Sequence, residues 1–215
     1  AIRELRRQTA SIRCLPVFMN CRPGLFLVEG REPVLCWFYN QFGKMNGGKN
    51  EYMGVSEIAA RMIQYSDGNL HDINHFMKVY AYARIIGECE RLDGETQAIL
   101  EVAAILHDIA CPLCREKYGN TNGRYQETEG AVLAAEFLKG TGYSDAFIER
   151  VVFLVGHHHT LKDITGMDYQ ILIEADYLVN ADEGCCSEEN IRNMMERVFK
   201  TETGISLLKS MYKLR

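Results

Sequence analysis

The side chains best suited to chemistry are histidines and aspartates in one part of the chain. All six histidines lie between positions 71 and 159, as His71, His75, His107, His157, His158 and His159. The first two are four residues apart on a predicted helix, so both lie on one face of it. His107 is followed directly by Asp108, and the last three are consecutive. Imidazole and carboxylate groups in this density are typical of metal binding or of acid–base catalysis.

Burying the His107–Asp108 pair or Asp176 without a partner would cost free energy. His107 and Asp108 end the apolar segment ILEVAAIL, and Asp176 lies within the apolar stretch ILIEADYLVN. A carboxylate at a core position is rarely left unpaired, because taking a charge out of water costs free energy. A bound cation shared by both segments would satisfy them together, although a polar helix end is the simpler interpretation of an isolated His-Asp pair.

Three segments together resemble the HD-domain metal-dependent phosphohydrolases, in particular small single-domain bacterial members. The segments are HDINHFMKVYAYA with His75, EVAAILHDIA with His107 and Asp108, and EADYLVN with Asp176. The resemblance spans about residues 55–213. It implies an all-α helical bundle in which these four residues bind a divalent cation. It also implies that this cation helps water to cleave a phosphoester or phosphoanhydride.

The chemistry of this ligand set agrees with that implication. Two neutral imidazoles and two carboxylates form a harder ligand set than the thiolates of a zinc site. Such a set suits Mn, Fe, Co, Ni or Mg. Four protein ligands leave coordination positions open, and the metal would lower the pKa of a bound water and polarise a phosphoryl oxygen. Asp108 would also hold or deprotonate that water. The expected substrate is a small phosphorylated metabolite, with a nucleotide as the favoured class.

The resemblance favours one metal over two. Relatives with two metals use a further histidine at a position that is Gln126 in this chain, and Gln is a poor replacement for a metal-binding imidazole. Another added histidine ends the following helix in such relatives, where this chain has the triplet 157–159. Glu127 or Glu129 could supply the missing ligand of a second site.

Other residues are predicted to act on the substrate. We expect His158 first and His157 second to face the cleft, as leaving-group acid, phosphate ligand or second-metal ligand. Lys78 would contact the phosphate, and Asp72 would orient His75 or a water. The predicted substrate-binding residues near the cleft mouth or on the polar loop are His71, Lys78, Lys117 and Arg124. Exposure to solvent is the competing interpretation for the three basic residues.

Two other functions fit parts of the same sequence. HDINH is similar to the HExxH helix of zinc proteases, with His71 and His75 as ligands and Asp72 as base, but this interpretation leaves His107, Asp108 and Asp176 unused. The other alternative is a non-catalytic metal or nucleotide sensor on the same fold, since a fold alone does not guarantee turnover.

The chain after position 51 has helical periodicity throughout. Helices are predicted at 57–66 after Ser56, at 70–90, and from Asp93 to the His107–Asp108 pair, where Pro112 would end the helix. A polar loop is predicted at 115–126. Further helices are expected near 128–139, 145–158, 169–181, 188–200 and 204–213, with Ser144 and Ser187 as N-caps. The fold class is therefore all-α, with residues 51–215 as the hydrolase-like domain and residues 1–50 as an extension of uncertain structure.

The charge and composition of the chain limit the classes of partner that we expect. The net charge of −5 hides a basic segment, since residues 1–50 hold 8 Lys or Arg against 3 Asp or Glu. The remaining, acidic body argues against nucleic-acid binding. No apolar run is long enough to predict a membrane helix, and the 8 cysteines, including Cys111, Cys114, Cys185 and Cys186, are expected to be reduced thiols. We therefore expect a cytoplasmic protein without nucleic-acid or membrane partners, and no pattern decides whether it forms a homodimer.

Overall fold

The computed structural model describes residues 52–214, which form nine α-helices and contain no strand. The helices are α1 Val55–Tyr65, α2 Leu70–Cys89, α3 Gly94–Leu106, α4 Cys111–Tyr118, α5 Gly123–Leu138, α6 Asp145–Val155, α7 Met167–Glu183, α8 Glu188–Arg197 and α9 Glu202–Tyr212. The all-α prediction is confirmed for this part of the chain. The extension predicted at 1–50 lies outside the described residues.

Helix α3 is the centre of the core. Its residues from Ile99 to Leu106 are all buried, as the nearly continuous apolar sequence predicts. Helices α1, α2, α6 and α7 pack around it. The stretch Gly94–Tyr118 is long and apolar enough to cross a membrane, and within the described residues it is the one such stretch, but most of it is buried inside the protein. Burial against four other helices accounts for its apolar character.

Most helix starts follow the predicted caps. The side chains of Asp93, Ser144 and Ser187 each accept a hydrogen bond from a backbone N–H in the first turn of α3, α6 and α8. Ser56 was the wrong cap for α1. That helix begins two residues earlier, at Val55, and the Glu57 carboxylate accepts the backbone N–H of the capping residue Gly54 at 2.7 Å.

Two predicted boundaries around the His-Asp pair are also wrong. Helix α3 ends at Leu106, a turn follows over 107–110, and Pro112 stands in the first turn of α4 instead of ending α3. Proline is tolerated there because the first turn of a helix needs no backbone N–H. The predicted loop 115–126 shrinks to 119–122, between Gly119 in the left-handed region (φ +70°) and Asn122, which caps α5.

One buried carboxylate has a structural role. Glu174 on α7 is fully buried and accepts hydrogen bonds from Gln170 Nε2 (2.7 Å), from the backbone N–H groups of Lys200 (2.6 Å) and Thr201 (3.0 Å), and from the Thr201 hydroxyl. It therefore connects α7 to the start of α9. The four donors explain how an acid can lie in the core without a cation.

Replacing this carboxylate should destabilise the domain. Glu174→Ala leaves several buried donors without an acceptor, so we expect the free energy of unfolding to fall by about 3 kcal/mol. Urea unfolding followed by circular dichroism measures this. The exposed Glu196→Ala on α8 is the control and should change stability by less than about 0.5 kcal/mol. Equal effects of the two substitutions would contradict the structural role.

Candidate metal centre

Four predicted ligands from three parts of the fold converge on one point. His75 comes from α2, His107 and Asp108 from the turn after α3, and Asp176 from α7. His75 Nε2 lies 3.2 Å from His107 Nε2, 3.5 Å from Asp108 Oδ2 and 3.3 Å from Asp176 Oδ1. His107 Nε2 lies 3.6 Å from Asp108 Oδ2 and 3.4 Å from Asp176 Oδ1. The structure thus brings together residues that are up to 101 positions apart in the sequence.

The second nitrogen of each imidazole is fixed by an acceptor. His107 Nδ1 donates to the backbone carbonyl of Ala104 at 2.8 Å, and His75 Nδ1 donates to Glu183 Oε2 at 2.8 Å. Because both acceptors can only accept, the proton of the neutral ring belongs on Nδ1 and the lone pair on Nε2. Both lone pairs then face the centre of the cluster, which is the orientation that metal binding requires.

The spacing and the donor types fit a divalent cation. Ligand atoms bound at about 2.1 Å to one ion lie roughly 3 to 3.5 Å from each other, close to the distances within this cluster. Two nitrogen and two oxygen donors suit the metals predicted from the sequence. These residues could therefore hold a divalent metal, whose identity the donor set leaves open among Mn, Fe, Co, Ni and Mg.

The cluster has strongly perturbed proton affinities. Burial lowers the pKa of His75, but the hydrogen bond to Asp176 and the charge of Asp108 outweigh it and raise that pKa to about 9. For Asp176, burial raises the pKa, and the hydrogen bonds from His107 and His75 nevertheless hold it well below its usual range. The negative charges of Asp108 and Asp176 therefore stabilise a positive charge between them, which either a protonated His75 or a bound metal cation can supply.

His158 points at the same cluster from the turn after α6. Its side chain is fully buried, and its Nδ1 donates to the backbone carbonyl of Val155 at 2.8 Å. Its Nε2 lies 3.6 Å from Asp108 Oδ1 and has no hydrogen-bond partner within the described structure. A buried nitrogen without a partner, facing a carboxylate of the cluster, is suited to a substrate or a second cation.

The neighbour of His158 in the site is His159, not the predicted His157. The ring of His157 stacks on Phe153 at 4.2 Å, and its Nδ1 donates to the Phe153 carbonyl at 2.7 Å. His159 instead has a ring nitrogen within 4.8 Å of ligand atoms of His158 and Asp108. The prediction failed because α6 ends at Val155, so the triplet lies in a turn where helical spacing no longer applies.

Asp108, His158 and His159 form a second possible ligand group. The residues considered as further ligands make other contacts. Gln126 Nε2 donates to the Thr121 carbonyl at 2.7 Å, and Glu127 Oε1 accepts the backbone N–H of His159 at 3.0 Å. Glu129 Oε1 accepts from Lys117 and from Tyr118. One metal remains the favoured prediction, since these contacts hold the alternative ligands in structural roles.

The predicted polar residues of α2 surround the cluster without joining it. Lys78 Nζ donates to Glu183 Oε1 at 3.0 Å, so it reaches His75 only through that carboxylate. Asp72 pairs with Arg115, which leaves it engaged by a guanidinium instead of by His75. The side chain of His71 is 75% exposed. The structure therefore does not assemble the protease-like site, in which His71 and His75 would share a metal.

The two basic residues of the predicted loop are also outside the cluster. Lys117 lies on α4, exposed and paired with Glu129 at 2.7 Å. Arg124 lies in the first turn of α5, and its exposed side chain has no partner among the described residues. Their substrate contacts stay a prediction.

Sequence reasoning missed three residues that support the site. Asn180 Nδ2 donates to Asp176 Oδ1 at 2.8 Å, Glu183 orients His75, and Arg115 pairs with Asp72. Positions 176, 180 and 183 are spaced by four and three residues on α7, so they lie on one helix face. That spacing was the available signal for two of the three.

Glu183 should control metal affinity through His75. A carboxylate on the outer nitrogen of a metal-binding imidazole fixes the ring and raises its basicity, and its loss typically costs 10- to 100-fold in affinity. We therefore expect Glu183→Ala to weaken metal binding by about 10- to 100-fold, and Glu183→Gln, which keeps an acceptor, to weaken it less. Isothermal titration calorimetry with Mn measures both. Glu189→Ala, an exposed acid on α8, is the control. Wild-type affinity in Glu183→Ala would contradict this role.

A cleft of about 170 Å³ opens beside the cluster, with Asp176 and His158 in its lining. A larger groove of about 450 Å³ lies between α1 and α5, around Tyr65 and Phe137, and contains none of the cluster residues. The smaller cleft is the one that the chemistry can use.

An all-α domain that brings two histidines and two aspartates to one buried point belongs to the class of helical metal-binding domains. Within that class, the family model of the HD domain matches residues 72–194, and the chain belongs to this family. The matched region contains all four residues of the cluster.

A solved structure has the same fold. It is the crystal structure of a predicted HD superfamily hydrolase from an uncultured Thermotogales bacterium, with a TM-score of 0.52 and 25% sequence identity. The match covers 74% of this chain and 83% of that one. No curated protein matches this chain significantly.

Proposed function

We propose that this protein is a metal-dependent phosphohydrolase that cleaves a phosphoester or phosphoanhydride of a small phosphorylated metabolite, with a nucleotide as the favoured class. Its family and the similarity to a structure described as a predicted hydrolase support the general activity. The observation that carries the proposal is the convergence of His75, His107, Asp108 and Asp176, with the unpartnered His158 Nε2 beside it.

Each ligand would contribute differently to catalysis. His75, His107, Asp108 and Asp176 would hold the cation, which lowers the pKa of a bound water and polarises a phosphoryl oxygen. Asp108 has one oxygen towards the two imidazoles and the other towards His158. It can therefore position the attacking water and accept its proton.

The proton balance of hydrolysis assigns the role of His158. The oxygen of water forms a bond to phosphorus, and the bond from phosphorus to the leaving oxygen breaks. The leaving oxygen then needs a proton, and His158 Nε2 is a buried group facing the site that can donate one. The Asp108 carboxylate favours the protonated form of His158: burial lowers the pKa of His158, but the interaction with Asp108, whose Oδ1 lies 3.6 Å from Nε2, raises that pKa overall.

The electrostatics explain why the cation is needed. Asp108, Asp176, Asp72 and Glu183 make the surroundings acidic, and the nearby Lys and Arg partners are paired with the last two. A phosphate would be repelled by the carboxylates unless a divalent cation compensates for them. We therefore expect no turnover in the metal-free protein.

Elemental analysis of the purified full chain, followed by a panel of phosphorylated substrates with Mn, Co, Ni and Mg, tests this function. We expect about one divalent ion for each chain, loss of hydrolysis with a chelator, and recovery on adding metal. Tight nucleotide binding with no turnover of any ester by the metal-loaded protein would instead favour the sensor alternative.

A further inference from the structure

We propose that the cleft beside Asp176 binds the uncharged organic group of a phosphate monoester, so that the protein prefers monoesters to nucleoside di- and triphosphates. This inference rests on the proposed function for the position of the phosphate. It adds the part of the substrate that the metal centre does not determine.

The position of the cleft supports this assignment. Its lining includes Asp176 of the cluster, together with His158 and His159, which lie close to Asp108. A phosphate held at the cluster therefore has the group on its ester oxygen within reach of the cleft. His158 would stand at the junction, where a leaving oxygen needs its proton.

Half of the residues that line the cleft are apolar or aromatic. They come from three separate elements: Leu161 from the loop after α6, Ile173 and Tyr177 from α7, and Met194 from α8. Apolar and aromatic walls favour an uncharged group, because burying a charge against them would cost its hydration without replacing it. Asn180, the polar residue beside Asp176, can orient such a group through hydrogen bonds.

The charges of the cleft disfavour further phosphates. Among the described residues that line it, none is Lys or Arg, while Asp176 carries an acid. Lys78 and Arg115 are paired with Glu183 and Asp72 and are not part of the lining. A second or third phosphate in this cleft would therefore meet apolar side chains and no Lys or Arg, and the lining groups that can carry a positive charge are the imidazoles of His158 and His159.

The size of the cleft adds a limit. At about 170 Å³ it is smaller than the pockets of roughly 300–1,000 Å³ that hold drug-sized ligands. It suits a compact ring better than an extended group. A larger organic group would have to project through the open side of the cleft into solvent.

Binding to the Mn-loaded full chain tests the proposal. Isothermal titration calorimetry would compare inorganic phosphate with phenyl phosphate, and AMP with ATP, in excess free Mn. We expect phenyl phosphate to bind about tenfold more tightly than inorganic phosphate, because only the ester places an apolar ring in the cleft. AMP should bind about tenfold more tightly than ATP.

Leu161, in the lining of the cleft, can be replaced by a residue of negative or positive charge. Its side chain is 46% exposed, so both variants should fold. Leu161→Asp should remove most of the advantage of phenyl phosphate and leave the affinity for inorganic phosphate within about twofold. Leu161→Arg should raise the affinity for ATP relative to AMP by about tenfold, since it supplies the missing cation. Val132→Asp and Val132→Arg, at a site that is 60% exposed and outside the cleft, are the matched controls and should change neither ratio.

The outcomes separate the two proposals. Equal binding of phenyl phosphate and inorganic phosphate, or ratios that do not respond to Leu161, would overturn the assignment of the cleft. The expected binding ratios without hydrolysis of any ester would support the cleft and overturn the phosphohydrolase function. Hydrolysis with a preference for ATP over AMP would support the function and overturn the cleft assignment. If no phosphate compound binds, both proposals fail.

Discussion

Asp108→Ala will lose both metal and activity while the helical content remains close to that of the wild type. The carboxylate lies within 3.6 Å of His75 Nε2 and His107 Nε2 on one side and of His158 Nε2 on the other. Its removal takes away a metal ligand and the group that we expect to position the attacking water. We therefore expect hydrolysis to fall by about 10³-fold or more. The fold should survive because Asp108 is not part of the apolar core that packs around α3.

Metal content, turnover and circular dichroism of the same preparation measure the three parts of this result. Asp108→Asn keeps the shape of the side chain and removes its charge, so it should also lose activity if charge is what matters. Asp145→Ala, an exposed acid in the first turn of α6, is the matched control. Full activity in Asp108→Ala would be fatal to the assignment of the metal centre. Loss of helical content would show that Asp108 supports the fold as well.

The residues of the cluster could be predicted because the sequence has carboxylates at positions where burying a charge costs free energy. Acidic side chains interrupt two segments whose other residues are almost all apolar, at Asp108 and Asp176. The periodicity of those segments places the interruptions in the core, where a carboxylate needs a partner. Glu174 shows the limit of that signal, because it is as deeply buried and has a structural role with backbone donors.

The contacts around the ligands depend on packing that the sequence does not show. Glu183 and His75 are 108 residues apart, and only the packing of α2 against α7 brings them together. The same packing directs Lys78 to Glu183 instead of leaving it free for a phosphate. Helical periodicity gives the face of each helix, but it does not give the neighbouring helix or its register.

Turns account for the other errors. A proline is compatible both with the end of one helix and with the first turn of the next, and at Pro112 the structure has the second arrangement. The histidine triplet follows the end of α6, so its side-chain directions are set by the turn and by Phe153, which stacks on His157. Local sequence left both outcomes open, and tertiary contacts decided between them.

His158→Gln will lower turnover while metal binding by the four ligands remains. The side chain is fully buried, and its Nε2 faces Asp108 Oδ1 at 3.6 Å without a hydrogen-bond partner. If His158 protonates the leaving oxygen, its loss should cost about 10²- to 10⁴-fold for an ester of a poor leaving group. The loss should be much smaller for p-nitrophenyl phosphate, because that leaving group departs without a proton.

Comparing the loss of turnover for the two esters distinguishes a proton donor from a structural residue, because losing a structural residue would slow both esters equally. Metal content distinguishes a proton donor from a ligand of a second cation, because losing such a ligand would lower the number of ions bound per chain. His157→Gln is the matched control: its ring stacks on Phe153 away from the cluster, so turnover should stay within about twofold of the wild type. Equal losses for the two esters in His158→Gln would rule out the acid role. A large loss in His157→Gln would show that the turn after α6 rearranges when substrate binds.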